Sequence, residues 1–180
     1  MKHPLDKFRY CPVCGSERFE VNNVKSKKCQ ACGFTYYMNP SAATVAVITT
    51  SLPAGEGMGL LLVVRRGKEP AKGTLDLPGG FSDMGETSEE GVVREVLEET
   101  GLRVTRTEFL FSLPNRYVYS GLEIPTMDMF YRCEIADTAG AHAMDDAADL
   151  MWIPLSEVDP SQFGLESIRL GVSKLLQMLK

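Results

Sequence analysis

Residues 80–102 read Gly-Phe-Ser-Asp-Met-Gly-Glu-Thr-Ser-Glu-Glu-Gly-Val-Val-Arg-Glu-Val-Leu-Glu-Glu-Thr-Gly-Leu, and this stretch leaves the chain little freedom of fold. Thr87-Ser-Glu-Glu90 has the pattern of a capping box, with Thr87 at the N-cap and Glu90 reaching back to it. Gly101 stands where a left-handed residue closes a helix. Upstream, Leu77-Pro78-Gly79-Gly80 and Gly85 read as loop, their glycines letting backbone approach an anionic ligand closely. The expected unit is therefore loop, helix, loop.

At about 100° per residue, Glu95, Glu98 and Glu99 share an arc of roughly 100° on that helix. Val93, Val96 and Leu97 point the other way and are expected to meet a core. Arg94 lies one turn before Glu98, close enough to pair with it and hold its rotamer. Three acids on one face repel each other unless a positive charge sits among them. A hard divalent cation, Mg²⁺ or Mn²⁺, suits Glu95, Glu98 and Glu99, because it takes carboxylate oxygens and keeps positions for a substrate phosphate. A solvated acidic face is the plain alternative.

Cys11-Pro-Val-Cys14-Gly and Cys29-Gln-Ala-Cys32-Gly are two C-x2-C knuckles separated by fourteen residues. That spacing suits tetrahedral thiolate Zn²⁺. Disulfides and a redox pair are the alternatives, disfavoured by a reducing cytosol and by the doubling of the motif. Four cysteines leave no open coordination position, so the zinc is expected to be structural. Cys133 stands alone in a strand-like run and reads as a small buried hydrophobe.

The 180 residues suit one core domain with a small appendage, and 44% hydrophobic with 24% charged residues are ordinary globular values. A net charge of −5 argues against general electrostatic nucleic-acid binding. No apolar run reaches transmembrane length and the start lacks a secretory h-region, so a cytoplasmic location with no membrane partner is expected.

Residues 1–10 read as a tail and 11–36 as a ribbon of short strands, giving a first domain over 1–36 and a second over 37–180. Tyr36–Pro40 is the joint. Ala43–Thr50 and Leu60–Arg65, apolar runs flanking a Gly-rich loop at 53–59, predict a hairpin. Strands are expected near 104–112, 117–120, 125–135 and 150–153, and an amphipathic helix over 165–179. In 125–135, Met127, Met129, Tyr131, Cys133 and Ile135 alternate with Asp128, Phe130, Arg132 and Glu134, a period of two. Strands surrounding helices predict an α/β fold, an α/β/α sandwich on a mixed β-sheet.

The segment from Gly80 resembles the Nudix box, G-x5-E-x7-R-E-U-x-E-E-x-G-U with U aliphatic. Gly80, Glu86, Arg94, Glu95, Val96, Glu98, Glu99, Gly101 and Leu102 fill each defined position. Ribbon, Tyr-x-Asn-Pro joint, box and Trp152-Ile-Pro-Leu-Ser-Glu-Val together resemble the NADH, ADP-ribose and FAD pyrophosphatase group of that family. One stretch departs: where NADH pyrophosphatases carry S-Q-P-W-P-F-P-x-S, this chain has Ser112-Leu-Pro-Asn-Arg-Tyr-Val-Tyr-Ser120, without the Trp and Phe. NADH is therefore not expected to be the main substrate.

The resemblance implies a pyrophosphatase that hydrolyses a nucleoside diphosphate linked to another moiety, a small-molecule nucleotide. Metal held by Glu95, Glu98 and Glu99 would neutralise phosphoryl charge. Glu98 or Glu95 would accept the proton, Arg94 would orient the acids, and Glu86 would support the loop. By its distance from Trp152, Asp146 resembles the family's distal metal ligand; a solvated acidic loop is the alternative. Gly79 and Gly80 would approach the substrate. Arg116, Tyr117 and Tyr119 lie where the family contacts base or ribose, although the tyrosines would also suit a sheet face. The resemblance further implies a homodimer. Two other functions share these residues: removal of NAD-type caps from RNA, and a non-catalytic nucleotide-sensing module. His3 and His142 fall in no motif and read as surface residues.

Overall fold

Side chains alternate across a strand, and in the run from Ser41 to Ile48 both sets turn apolar, so this strand needs cover on two faces. It has that cover in the computed structural model, which describes residues 3–50, 59–145 and 147–179. The elements of the first part are β1 (Phe19–Asn23), β2 (Ser26–Cys29) and β3 (Thr35–Tyr37). There follow β4 (Ser41–Val47), β5 (Thr49–Thr50), β6 (Leu60–Arg66), β7 (Leu75–Asp76), α1 (Ser88–Thr100), β8 (Val104–Tyr119), β9 (Leu122–Ile135), β10 (Ala147–Pro154) and α2 (Glu166–Met178).

Two compact units result, one of Met1–Pro40 with Tyr117–Pro125, the other of Ser41–Arg116 with Thr126–Lys180. In the first, β1, β2 and β3 form an antiparallel sheet around a small core of Cys11, Phe19 and Cys29. The stretch read as a tail is fastened down: Leu5 is fully buried and Phe8 packs on that core.

The second unit holds two sheets, β4-β9-β8 and β10-β6-β5, with β7 beside β6. β4 runs parallel to β9, from Ser41↔Thr126 to Val47↔Arg132, while β10 and β6 are antiparallel, so both strand directions are present. Val45 and Val47 join Leu61, Val63, Phe130 and the α2 residues Ile168, Val172 and Leu175 in one core. Ala46 and Ile48 join Leu62, Tyr131 and the α1 residues Val92 and Val96 in the other. Helices thus cover two faces of strand, the α/β sandwich expected.

Two expectations need revision, and one falls outside the described residues. The predicted hairpin of 43–50 with 60–65 survives only at its end, Thr49↔Leu61 and Thr50↔Leu60, because β4 pairs with β9 instead. The loop expected at 53–59 lies outside the described residues apart from Gly59. The two strands expected at 104–112 and 117–120 are one, β8, which runs through Pro114. β8 is the end strand of its sheet, where alternate N–H groups face away from the partner strand and a proline can be accommodated without losing a ladder bond.

Candidate active site on the acidic helix

The ends of α1 are set by local chemistry. The Glu90 N–H donates to Thr87 Oγ1 (3.2 Å) and the Thr87 N–H to the Glu90 carboxylate (2.8 Å), completing the capping box. Gly101, at φ 70°, closes the other end with its N–H on the Leu97 carbonyl. The core side differs from the expected one: Val92, Val96 and Thr100 are buried, whereas Val93 and Leu97 are 37% and 45% exposed. Glu95 and Glu98 therefore lie between the buried stripe and Arg94, while Glu99 falls within that stripe.

The glycine loop lies along β4. Thr44 N–H donates to the Gly80 carbonyl (2.8 Å), Ala46 N–H to the Pro78 carbonyl (2.7 Å) and Ser82 N–H to the Ala42 carbonyl (3.1 Å). This pairing leaves the Gly79 N–H to donate to Glu99 Oε2 at 3.0 Å. Contact requires glycine at 79, against backbone, and crowds any side chain at 80 against a movable carboxylate. A Cβ at Gly79 would stand 2.1 Å from the Thr44 carbonyl oxygen, at φ 152°, and one at Gly80 would stand 2.5 Å from Glu95 Oε1.

Arg94 organises the cluster. It grips Glu86 with two donors, Nη2 at 2.8 Å and Nε at 3.1 Å. Its Nη1 donates to Glu95 (2.9 Å) and Glu98 (3.0 Å), and Nη2 also reaches the Phe81 carbonyl (3.1 Å). Asp83 lies 3.7 Å from Nε, and its own N–H donates to Glu86. Hydrogen bonds from Arg94 and then from the Asp83 N–H hold the Glu86 carboxyl far down, at about 2. Its many acidic partners, Glu86 first, hold Arg94 firmly protonated. Burial instead pushes the Glu95 carboxyl up, against the pull of Arg94.

Four carboxyl groups, those of Asp83, Glu86, Glu95 and Glu98, thus gather around one guanidinium, and the excess negative charge favours a bound cation. Glu95, Glu98 and Glu99 do not converge on one point: the first two share Arg94 Nη1 and the third is turned to Gly79. Asp146 lies outside the described residues. Arg116 belongs to the same unit as α1, whereas Tyr117 and the exposed Tyr119 belong to the ribbon's unit.

Among the described residues, the four cysteines are the group whose ligand atoms do converge. Their sulfurs lie within 4.8 Å of one another, with Cys11–Cys32 at 3.7 Å and Cys14–Cys29 at 3.6 Å. Zinc–sulfur bonds of about 2.3 Å in a tetrahedron require S···S separations of about 3.8 Å, so the cage has the dimensions of a Zn²⁺ site. Gly15 and Gly33 N–H groups donate back to Cys11 and Cys29, closing both knuckles.

Some polar residues here carry no sequence signal. Thr44 is buried with no partner for its hydroxyl among the described residues, and in the sequence it is one member of an apolar run. Asp128, expected on the polar side of its strand, is buried and accepts from Asn115 (3.0 Å), Thr126 (2.5 Å) and Ser167 (2.5 Å). Ser167 is on α2, so the burial depends on a helix that local alternation cannot see.

The model of the NUDIX domain matches residues 40–172. The chain belongs to the Nudix family. An ADP-ribose pyrophosphatase of Methanocaldococcus jannaschii is 32% identical over 75% of this chain and 74% of its own length. An NAD-capped RNA hydrolase NudC of Deinococcus radiodurans is 30% identical over 62% of this chain, which spans 39% of that relative's length. The crystal structure of a NUDIX hydrolase from Nitrosomonas europaea superposes with a TM-score of 0.68 at 20% identity, over 95% of this chain and 90% of that one. The chain is a Nudix hydrolase, in a family that uses divalent metal ions, and no helix among its described residues is long and apolar enough to cross a membrane.

Proposed function

We propose that this Nudix hydrolase cleaves the pyrophosphate of a nucleoside diphosphate joined to another moiety, ADP-ribose or FAD ahead of NADH, releasing AMP and a phosphorylated remainder. The observation that carries the reading is the Arg94 cluster, a complete acidic helix face held against a glycine loop. The named ADP-ribose pyrophosphatase relative, matched over three quarters of each chain, supports the substrate class. Residues 37–180 form the catalytic domain in this reading, with the zinc ribbon of 1–36 ahead of it and Zn²⁺ structural at Cys11, Cys14, Cys29 and Cys32.

Glu95, Glu98 and Glu99 would hold Mg²⁺ or Mn²⁺, with Asp146 as a further ligand. The donor set fits: hard oxygens, an excess of negative charge, and a cradle at Gly80 that a side chain would fill. When bound, the ion supplies charge neutralisation at the phosphoryl oxygens and an acidified water. The chain's own part is positional. Arg94 fixes the rotamers of Glu95 and Glu98 and immobilises Glu86, and Gly79 and Gly80 bring backbone to the phosphates. A water oxygen attacks phosphorus, the bridging oxygen leaves with the other phosphoryl group, and a glutamate takes the water's proton. Glu98 or Glu95 would fill that role, both being held in place by Arg94. Arg116, Tyr117 and Tyr119 would contact ribose and adenine, the rings by stacking.

The free cysteines, arranged as ligands, suit a reducing cytoplasm, and a homodimer is proposed by likeness to related diphosphatases. NAD-capped RNA is the second reading, favoured by the NudC relatives and by seven Lys and Arg against three Asp and Glu in residues 1–40. Measuring kcat/KM for ADP-ribose, FAD, NADH, NAD-capped RNA, dinucleoside polyphosphates and nucleoside triphosphates decides it. A triphosphate that wins by about tenfold, roughly 1.4 kcal/mol, would remove the substrate assignment while leaving the reaction class.

A further inference from the structure

The chain crosses between its two compact units three times, after Pro40, after Arg116 and after Pro125. The cysteine ribbon is therefore more than an N-terminal bead: it packs as one unit with residues 117–125, the tip of the β8–β9 hairpin. Ser120 and Gly121 make the turn there, at φ 48° and 73°, the left-handed pair of a two-residue hairpin loop. Lys7 Nζ donates to the Gly121 carbonyl. The approach is close, since a Cβ on Gly121 would stand 3.2 Å from that ammonium.

Lys7 is itself held by the ribbon. Its neighbour Leu5 is fully buried, and Phe8 N–H donates to the Leu5 carbonyl at 3.0 Å. The Phe8 ring stacks on Tyr36 at 6.0 Å and packs against Cys11, Phe19 and Cys29. The Phe8 carbonyl accepts from Lys27 Nζ on β2 at 2.8 Å. Support thus runs from the cysteine cage through Phe8 to Lys7 and so to the hairpin tip. Besides Leu5, the buried apolar cluster of the ribbon is Cys11, Phe19 and Cys29, two of them cage ligands, with Phe8 and Phe34 partly buried against it. Apolar burial on that scale cannot order a unit of this size, whereas metal-binding free energy can.

We propose that the ribbon is the clamp of the β8–β9 hairpin tip: metal binding at Cys11, Cys14, Cys29 and Cys32 orders residues 117–125, with Lys7 as the positioning residue. The tip carries Tyr117 and Tyr119, so the clamp also sets the placement of two proposed substrate contacts. That consequence rests on the reading above; the clamp itself does not.

Hydrogen–deuterium exchange of the full chain, with zinc loaded, stripped by a strong chelator and restored, tests it. Stripping is expected to speed exchange in 117–125 by about tenfold or more, together with 26–37, and to leave 88–100 unchanged. Added zinc should restore protection. Cys14→Ser should behave like the stripped protein. Lys7→Met should loosen 117–125 while the chain keeps its zinc, which separates the clamp from collapse of the ribbon. A tip whose exchange ignores zinc removal, or ignores Lys7→Met, overturns the proposal. A loosened tip with an unchanged KM for ADP-ribose supports the clamp and removes Tyr117 and Tyr119 from the proposed binding site.

Discussion

Arg94 touches Glu86, Glu95, Glu98 and the Phe81 carbonyl, so at the scale of single residues the site depends on one guanidinium. Glu86 shows it in its titration. A carboxyl near 2 in the folded chain and at ~4.3 in the unfolded one stabilises the fold fully above the unfolded value, and loses that contribution as pH falls through about 2. Urea midpoints of the wild type and Glu86→Gln should accordingly differ at pH 7 and draw together towards pH 2; a constant gap would mean that Arg94 does not hold Glu86. Glu98→Gln keeps volume and removes charge, so it should lower kcat about 100-fold or more with the melting temperature little changed. Near-normal turnover in that variant would remove the acidic face as the metal site. The two glycines should separate as well. Gly79→Ala meets the rigid Thr44 carbonyl in a strained conformation and should destabilise by about 1–3 kcal/mol or more. Gly80→Ala meets the Glu95 carboxylate, which can swing away, so it should cost activity more than stability. Denaturant melts beside kcat for both variants check the contrast.

Among elements, α1 was the most legible, because its signals are local: Thr87 and Glu90 cap one end, Gly101 the other, and i to i+4 spacing pairs Arg94 with Glu98. Its rotation was not legible. Which of Val92, Val93, Val96 and Leu97 faces the core depends on where β4 and β9 pass beneath it, and the acidic arc alone leaves that phase loose. The structure turns Val92 and Val96 inward and leaves Val93 outward. Val96→Ala should therefore cost about 2–3 kcal/mol, and Val93→Ala should stay within roughly 0.5 kcal/mol of the wild type. Urea denaturation of both variants measures the difference, and equal costs would contradict this packing. β8 illustrates the opposite case: the sequence predicts two strands over 104–112 and 117–120, yet one strand runs through Pro114 at an edge position.

At the scale of the whole molecule, the two metal sites should behave differently. Four thiolates would enclose a zinc completely, whereas carboxylates holding Mg²⁺ or Mn²⁺ would leave positions open to exchange. Metal analysis of the purified chain should find about one zinc per chain, retained under mild chelation that strips Mg²⁺ and abolishes hydrolysis. Loss of the zinc at the same chelator strength as the activity would contradict a structural site.

The sequence by itself determined the ligand cage, the capped acidic helix and its glycine loop, because each is built from residues close along the chain whose spacing is the geometry. It also carried the family and the sandwich class, through the box and the strand runs. Tertiary structure decided the rest. β4 pairs with β9, more than eighty positions away, instead of completing the nearer hairpin. Asp128 is buried because Asn115 and Ser167 from other elements satisfy its carboxylate. The tip at 117–125 packs with the ribbon, where Lys7 reaches Gly121, a contact between residues more than a hundred positions apart. Spacing cannot encode such contacts: they exist only when separate elements are brought together, and their energy is that of the assembled surfaces.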